Sequence, residues 1–166
     1  MSWNDFYRRR DVIDATLRQA RRNPDGAVAF EEIPHAAEVF TGTEELLAAL
    51  HYKWTQLLTG HIGLALSAAE QSPNADRVEA VASAWRRAAN ENQALRRVLE
   101  ANAGPALDAA NAREQRMLAL SAGLAELTEP AEEIERIGAA FLALVHSTPA
   151  APSRTTGKRG LARLLG

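Results

Sequence analysis

Two polar residues interrupt otherwise apolar helical seams. His61 falls in the series Leu47, Leu50, Trp54, Leu57, His61, Leu64, Ala68. Asn92 falls in the series Val78, Val81, Trp85, Ala88, Asn92, Leu95, Leu99. Both series follow the 3,4 spacing of a buried helix face. An antiparallel pairing about Ser72, Pro73 and Asn74 sets His61 level with Trp85, and Trp54 level with Asn92. With Tyr52 close by, such a groove offers an imidazole, a carboxamide and aromatic faces, a lining suited to a small molecule. The plainer reading is that His61 and Asn92 find partners inside the bundle and fix its register, as a seam Asn does in coiled coils. The sequence favours the plainer one.

A second group, Glu31, Glu32, His35 and Glu38, lies in an irregular stretch. Carboxylates and imidazole are ligands for zinc or iron, and Glu32 with His35 has the Glu-x-x-His spacing of di-iron bundles. Those proteins need a second such pair and two further Glu on long helices, a set this chain lacks. Pro34 also separates the two residues. A metal site at Glu32, His35 and Glu38 is therefore the minor expectation, a solvated loop the major one, and no cofactor is expected.

No nucleophile is marked. There is no cysteine, and Ser and Thr fall mostly at helix starts and near the C-terminus. His51 and His146 have no adjacent acid that suggests a triad. A phosphate-cradling glycine motif is missing too. Gly60 and Gly63 lie inside a helical stretch, where they are expected to permit close helix approach.

The elements that must position these residues are helices. Apolar residues make up 46% of the 166 residues and aromatic ones only 5%. Alanine abundance and few β-branched residues favour helix over sheet. The spacing predicts an N-terminal helix from about Asp5 to Arg22, capped by Asn4. Four long helices follow. The first, about 43–71, is apolar on much of its circumference and central, with Thr41 and Glu44 in capping-box spacing. The second runs from Asn74 as cap to about Ala103. The third covers about 106–127, after the Gly104–Pro105 stop and restart. The fourth follows Thr128 as cap. Short connections make these antiparallel neighbours. The expected fold is an all-α antiparallel bundle of four long helices plus the N-terminal helix, in one domain, 1–146. Between them, residues 23–42 are broken by Pro34 and read as a packed loop with a helical turn around His35 to Phe40.

Residues 147–166 read as a flexible basic tail, with Arg154, Lys158, Arg159 and Arg163 and no acid. Lys158, Arg159, Leu161, Arg163, Leu164 and Leu165 form a short basic amphipathic unit suited to an acidic partner, to weak contact with an anionic membrane surface, or to the body itself. The net charge of −2 gives no nucleic-acid signal. The arginine doublets are interleaved with acids, as on a solvated helix face. No apolar run reaches the length of a membrane span or a signal peptide, which points to a cytoplasmic location.

The stretches Phe6-Tyr7-Arg8-Arg9-Arg10-Asp11, Phe30-Glu31-Glu32-Ile33-Pro34 and Leu50-His51-Tyr52-Lys53-Trp54-Thr55-Gln56-Leu57-Leu58 resemble those of uncharacterised conserved helical proteins of actinobacteria. The resemblance covers about the first 70 residues and implies no activity. The sequence therefore favours a non-enzymatic scaffold acting through protein–protein contacts, with a protein partner or a second copy. The alternative is a small-molecule-binding or enzymatic bundle using Tyr52, Trp54, His61, Trp85 and Asn92.

Overall fold

The computed structural model describes residues 3–23 and 25–148. The tail residues Lys158, Arg159, Leu161, Arg163, Leu164 and Leu165 lie outside the described residues. Seven α-helices are formed among the described residues: α1 (Trp3–Arg22), α2 (Ala36–Val39), α3 (Thr43–Glu70), α4 (Arg77–Glu91), α5 (Gln93–Ala101), α6 (Pro105–Ser121) and α7 (Ala131–Ser147). A 3₁₀ turn at Phe30–Glu32 precedes α2. The bundle is thus all-α but finer-grained than four long helices plus one.

The difference has two local causes. The helix expected to run unbroken to about Ala103 breaks at Asn92, whose backbone leaves helical space at φ −125° and ψ 44°. Its backbone N–H and its side-chain amide both donate to the Ala88 carbonyl, at 3.1 Å and 2.9 Å, closing the end of α4. Asn92 is therefore a hinge residue and not a seam residue. The helix expected to reach about 127 stops at Ser121. Gly123 follows in the left-handed region at φ 70°, where glycine carries no Cβ penalty. Leu124 N–H bonds the Ala119 carbonyl at 2.9 Å and Gly123 N–H that of Leu120 at 3.1 Å, which is the Schellman closure of a helix end.

The caps also shift. Asp76, not Asn74, caps α4, accepting from Val78 N–H at 2.9 Å. At the start of α3, Glu45 rather than Glu44 reaches back, accepting from Thr41 N–H at 2.8 Å. At α7 the cap position is Pro130, two residues beyond Thr128.

α3 is central. Leu46, Leu47, Leu50, His51, Trp54, Leu58 and Ile62 along it are buried. It packs against α1, α4, α5 and α6. Antiparallel packing of α6 and α7 is shown by Gly138 against Gln115 and by Glu135 with Arg116. A Cβ on Gly138 would stand 1.9 Å from the Gln115 carbonyl oxygen, so only glycine lets these backbones touch. A Cβ on Gly60 or Gly63 would meet no neighbouring element within 4 Å, which corrects the expectation that they serve close approach.

The 23–42 segment docks on the bundle. Ile33, Ala36 and Phe40 are buried in the main core, and Val28 N–H donates to Asn102 Oδ1 at 3.0 Å. α1 is held near its second turn. Arg9 donates to the Val39 carbonyl at 2.9 Å and to Glu45 at 3.0 Å, and its guanidinium lies 4.2 Å above the Phe40 ring.

Candidate functional site

The densest polar constellation in the core lies where α3, α4, α5 and α6 meet. Glu114 on α6 and His51 on α3 are its centre, with side chains only 4% and 5% exposed. His51 Nε2 stands 3.3 Å from Glu114 Oε2. Trp85 on α4 donates its indole N–H to the other oxygen, Oε1, at 3.2 Å. Trp54, one turn after His51, lies edge-on to Trp85 with ring centroids 5.9 Å apart. Arg96 on α5 closes the group, its guanidinium 4.6 Å from the Trp54 ring centroid and 5.2 Å from that of Trp85.

The break at Asn92 contributes here. It starts α5 as a separate helix, and Arg96 sits in its first turn, covering both rings with a cation. Thr55 fixes His51 from one turn on: its hydroxyl bonds the His51 carbonyl at 3.0 Å and meets Nδ1 at 3.3 Å. On the outer side, the ring of His146 in the last turn of α7 stands edge-on to Trp85 at 4.7 Å.

Burial pushes the Glu114 carboxyl up. The His51 contact, the Arg96 charge and the Trp54 and Trp85 indoles together outweigh burial and hold it below the ordinary carboxylate range. Glu114 is thus an ionised carboxylate inside the core. Neither His51 Nε2 nor Trp54 Nε1 meets strict hydrogen-bond geometry, and Arg96 Nε is likewise without a bond. Trp85 makes the one well-formed hydrogen bond to the carboxylate. The arrangement stabilises a charge and orients four helices around it. Its carboxylate is surrounded by donors and almost entirely out of water.

The residues singled out by their spacing scatter. Trp54 and Trp85 do come together, but with each other and Arg96 instead of with Asn92 and His61. His61 pairs with Glu91 at 3.2 Å at the edge of the bundle. Tyr52 is 65% exposed and accepts from Gln56 at 3.0 Å, so it does not join a groove. Asn92 lines an open hollow of about 250 Å³ with Leu17, Arg21, Lys53 and Leu95. His35, in a left-handed conformation at φ 62°, binds Glu38 at 2.7 Å. That bond, then the His35 charge, holds the Glu38 carboxyl low. Glu32 turns instead to Gln19 at 3.3 Å. Among the described residues, no group of three or more His, Cys, Asp or Glu is placed to hold a metal ion.

Sequence reasoning missed Glu114, Arg96 and His51. Glu114 lies among Ala110, Met117 and Leu118, and a glutamate near an apolar stripe was the available signal.

A second surface stands apart from this core. Trp3, Phe6 and Tyr7 on the first two turns of α1 are 78%, 52% and 50% exposed. They pack on each other, with centroid distances of 6.5 Å for Trp3–Phe6, 6.3 Å for Trp3–Tyr7 and 5.7 Å for Phe6–Tyr7.

A scan against protein-family models finds no match, and searches of curated proteins and of solved structures find none either. The class established by fold and site is an all-helical bundle with a buried carboxylate–imidazole pair. Among the described residues no helix is long and apolar enough to cross a membrane.

Proposed function

We propose that this chain is a non-enzymatic docking protein, a rigid helical scaffold that acts through protein–protein contacts. The observation that carries this reading is the exposed aromatic cluster of Trp3, Phe6 and Tyr7. Large aromatic side chains with arginine neighbours are the groups that dominate binding energy at protein interfaces. A folded chain ordinarily buries such rings, and contiguous exposed apolar patches mark interaction sites.

The core supports the same reading from the other side. Its carboxylate is spent on holding helices, with Trp85 and His51 turned to Glu114 and Arg96 laid over the two indoles while it pairs with Glu100 at 3.1 Å. A scaffold needs a fixed shape, and a buried polar network is one way to specify a single packing.

The test is affinity capture from extract of its native cells, using the full chain and a Trp3→Ala/Phe6→Ala/Tyr7→Ala variant as baits. A partner retained by the first and lost by the second is the expected result. An identical captured set from both baits refutes the docking role of this surface.

A further inference from the structure

We infer that the partner of the α1 surface is a second copy of this chain, bound through the antiparallel pairing of two α1 N-terminal segments. The inference rests on the docking reading and names its partner. Trp3, Phe6, Tyr7 and Arg10 follow the i, i+3, i+4, i+7 spacing of one helix face. All residues from Trp3 to Arg8 are exposed, and Val12 is the first buried one. The face therefore projects beyond the point where α1 joins the bundle.

The stripe is complementary to itself. An antiparallel pairing about the midpoint between Phe6 and Tyr7 sets Trp3 opposite the second copy's Arg10, and Phe6 opposite the second copy's Tyr7. Each cation then meets an aromatic face and each remaining ring meets a ring. The chain already makes both contact types within itself: Arg10 lies 5.9 Å from the Tyr7 ring centroid, and Phe6 stands edge-on to Tyr7 at 5.7 Å. A two-fold contact of this kind uses the same patch on both copies and closes at two.

Charge argues for a second copy over other occupants. Across residues 3–14, Arg8, Arg9 and Arg10 are balanced by Asp5, Asp11 and Asp14. No net field draws this segment to an anionic lipid surface or to a strongly charged protein.

Area sets the strength. Aromatic side chains of this kind bury about 150–250 Å² each, so the exposed parts of the three supply roughly 350–400 Å² per copy. With Arg10 the pair buries on the order of 1,000 Å², the low end for specific interfaces. The dimer is accordingly reversible and concentration-dependent.

Sedimentation velocity of the full chain from about 1 to 500 μM tests this, paired with acrylamide quenching of tryptophan emission. Trp54 and Trp85 are buried, so Trp3 supplies the quenchable fraction. The expected result is a shift from monomer to dimer with rising concentration, matched by protection of Trp3. Trp3→Ala/Tyr7→Ala should weaken the dimer at least tenfold with an unchanged circular dichroism spectrum, and Arg10→Ala should weaken it less. A wild-type chain that stays monomeric throughout, or a double variant that dimerises like wild type, overturns the inference. A monomer whose captured partner in the extract experiment is still lost with the aromatic variant overturns only the second copy as partner. A monomer with no such loss removes the docking reading as well. Binding of the monomer to anionic vesicles through Trp3 also counts against the second copy.

Discussion

Glu114 and His51 face each other across the α3–α6 interface at 3.3 Å, with both side chains almost entirely out of water. A carboxylate so placed loses hydration that only well-placed donors and nearby positive charge repay. Here the Trp85 N–H and the Arg96 cation supply both. The pair therefore ties four helices to one carboxylate. Removing one member strands the others without their partner, which makes the pair the point at which bundle stability becomes sensitive to pH.

The direction of that sensitivity follows from the carboxyl. Its folded-state affinity for a proton is lower than that of an unfolded glutamate, so ionised Glu114 adds stability above the ordinary value of about 4.3. That contribution is lost as pH falls below this value and through the folded-state value. Glu114→Gln should cost on the order of 3–5 kcal/mol at pH 7, because buried donors lose their charge partner. The gap between wild type and variant should narrow steadily in urea melts taken from pH 5 down to pH 3. A gap that stays constant over that range would show that the carboxylate charge is not what the network stabilises.

Three glycines separate close contact from mere helix composition. Gly138→Ala forces a methyl against the Gln115 backbone, and α6 and α7 must part. A loss of about 1–3 kcal/mol or more is expected. Gly60→Ala and Gly63→Ala add a methyl to open helix surface and should gain roughly 0.5–1 kcal/mol each from helix propensity. Chemical denaturation of the three variants checks both signs. A stabilised Gly138→Ala would mean that the helices do not cross there.

Much of the fold was legible because helix faces repeat and stops are local. The Leu50, Trp54, Leu57 series on α3 and the Gly104–Pro105 restart are one-dimensional signals. The Asn92 break was read as a seam position because Asn92 keeps the 3,4 spacing: periodicity does not register a backbone that leaves helical space for one residue. The Gly123 stop was passed over because Leu124 and Leu127 continue the apolar pattern beyond it. Of the core site, Trp54 and Trp85 were visible as large residues on facing stripes. Glu114, His51 and Arg96 come from three separate helices and meet only through packing, which spacing along one helix does not report. His51 was considered for a triad, but its acid lies 63 positions further along the chain. Phe6 shares a helical face with Ile13, Leu17 and Ala20 by spacing, which predicts burial, yet it is 52% exposed: where α1 leaves the bundle is a matter of packing that spacing along one helix does not report.

The start of α4 depends on a single carboxylate. Asp76 Oδ1 accepts from Val78 N–H at 2.9 Å and, more weakly, from Glu79 N–H at 3.4 Å. Asp76→Ala should cost about 0.5–2 kcal/mol, the ordinary range for a lost N-cap. Asn74→Ala should be near neutral, since no cap bond runs to it. Comparing the two by thermal denaturation decides between the residue that spacing alone suggests and the one that the backbone uses. Equal costs would mean that the turn as a whole, and not the Asp76 cap, sets the helix start.

Arg9 connects the core to the exposed end of α1. Its guanidinium bonds Glu45 and the Val39 carbonyl and stacks on Phe40. Glu45 is also gripped by the Thr41 N–H, which with Arg9 holds its carboxyl below the ordinary range. Arg9→Ala removes the contacts that seat the second and third turns of α1 while leaving the buried pair on α3 and α6 untouched. The expected cost is on the order of 1–2 kcal/mol, from a charged hydrogen bond and a cation–π contact. It should be local. Amide hydrogen exchange should quicken over the first half of α1 and leave α3 and α6 unchanged. Because the aromatic stripe needs a fixed helix to present it, the same variant should also weaken self-association, although Arg9 does not share the face of Trp3, Phe6, Tyr7 and Arg10. Undiminished self-association with a loosened α1 would show that the stripe pairs without being held by the bundle.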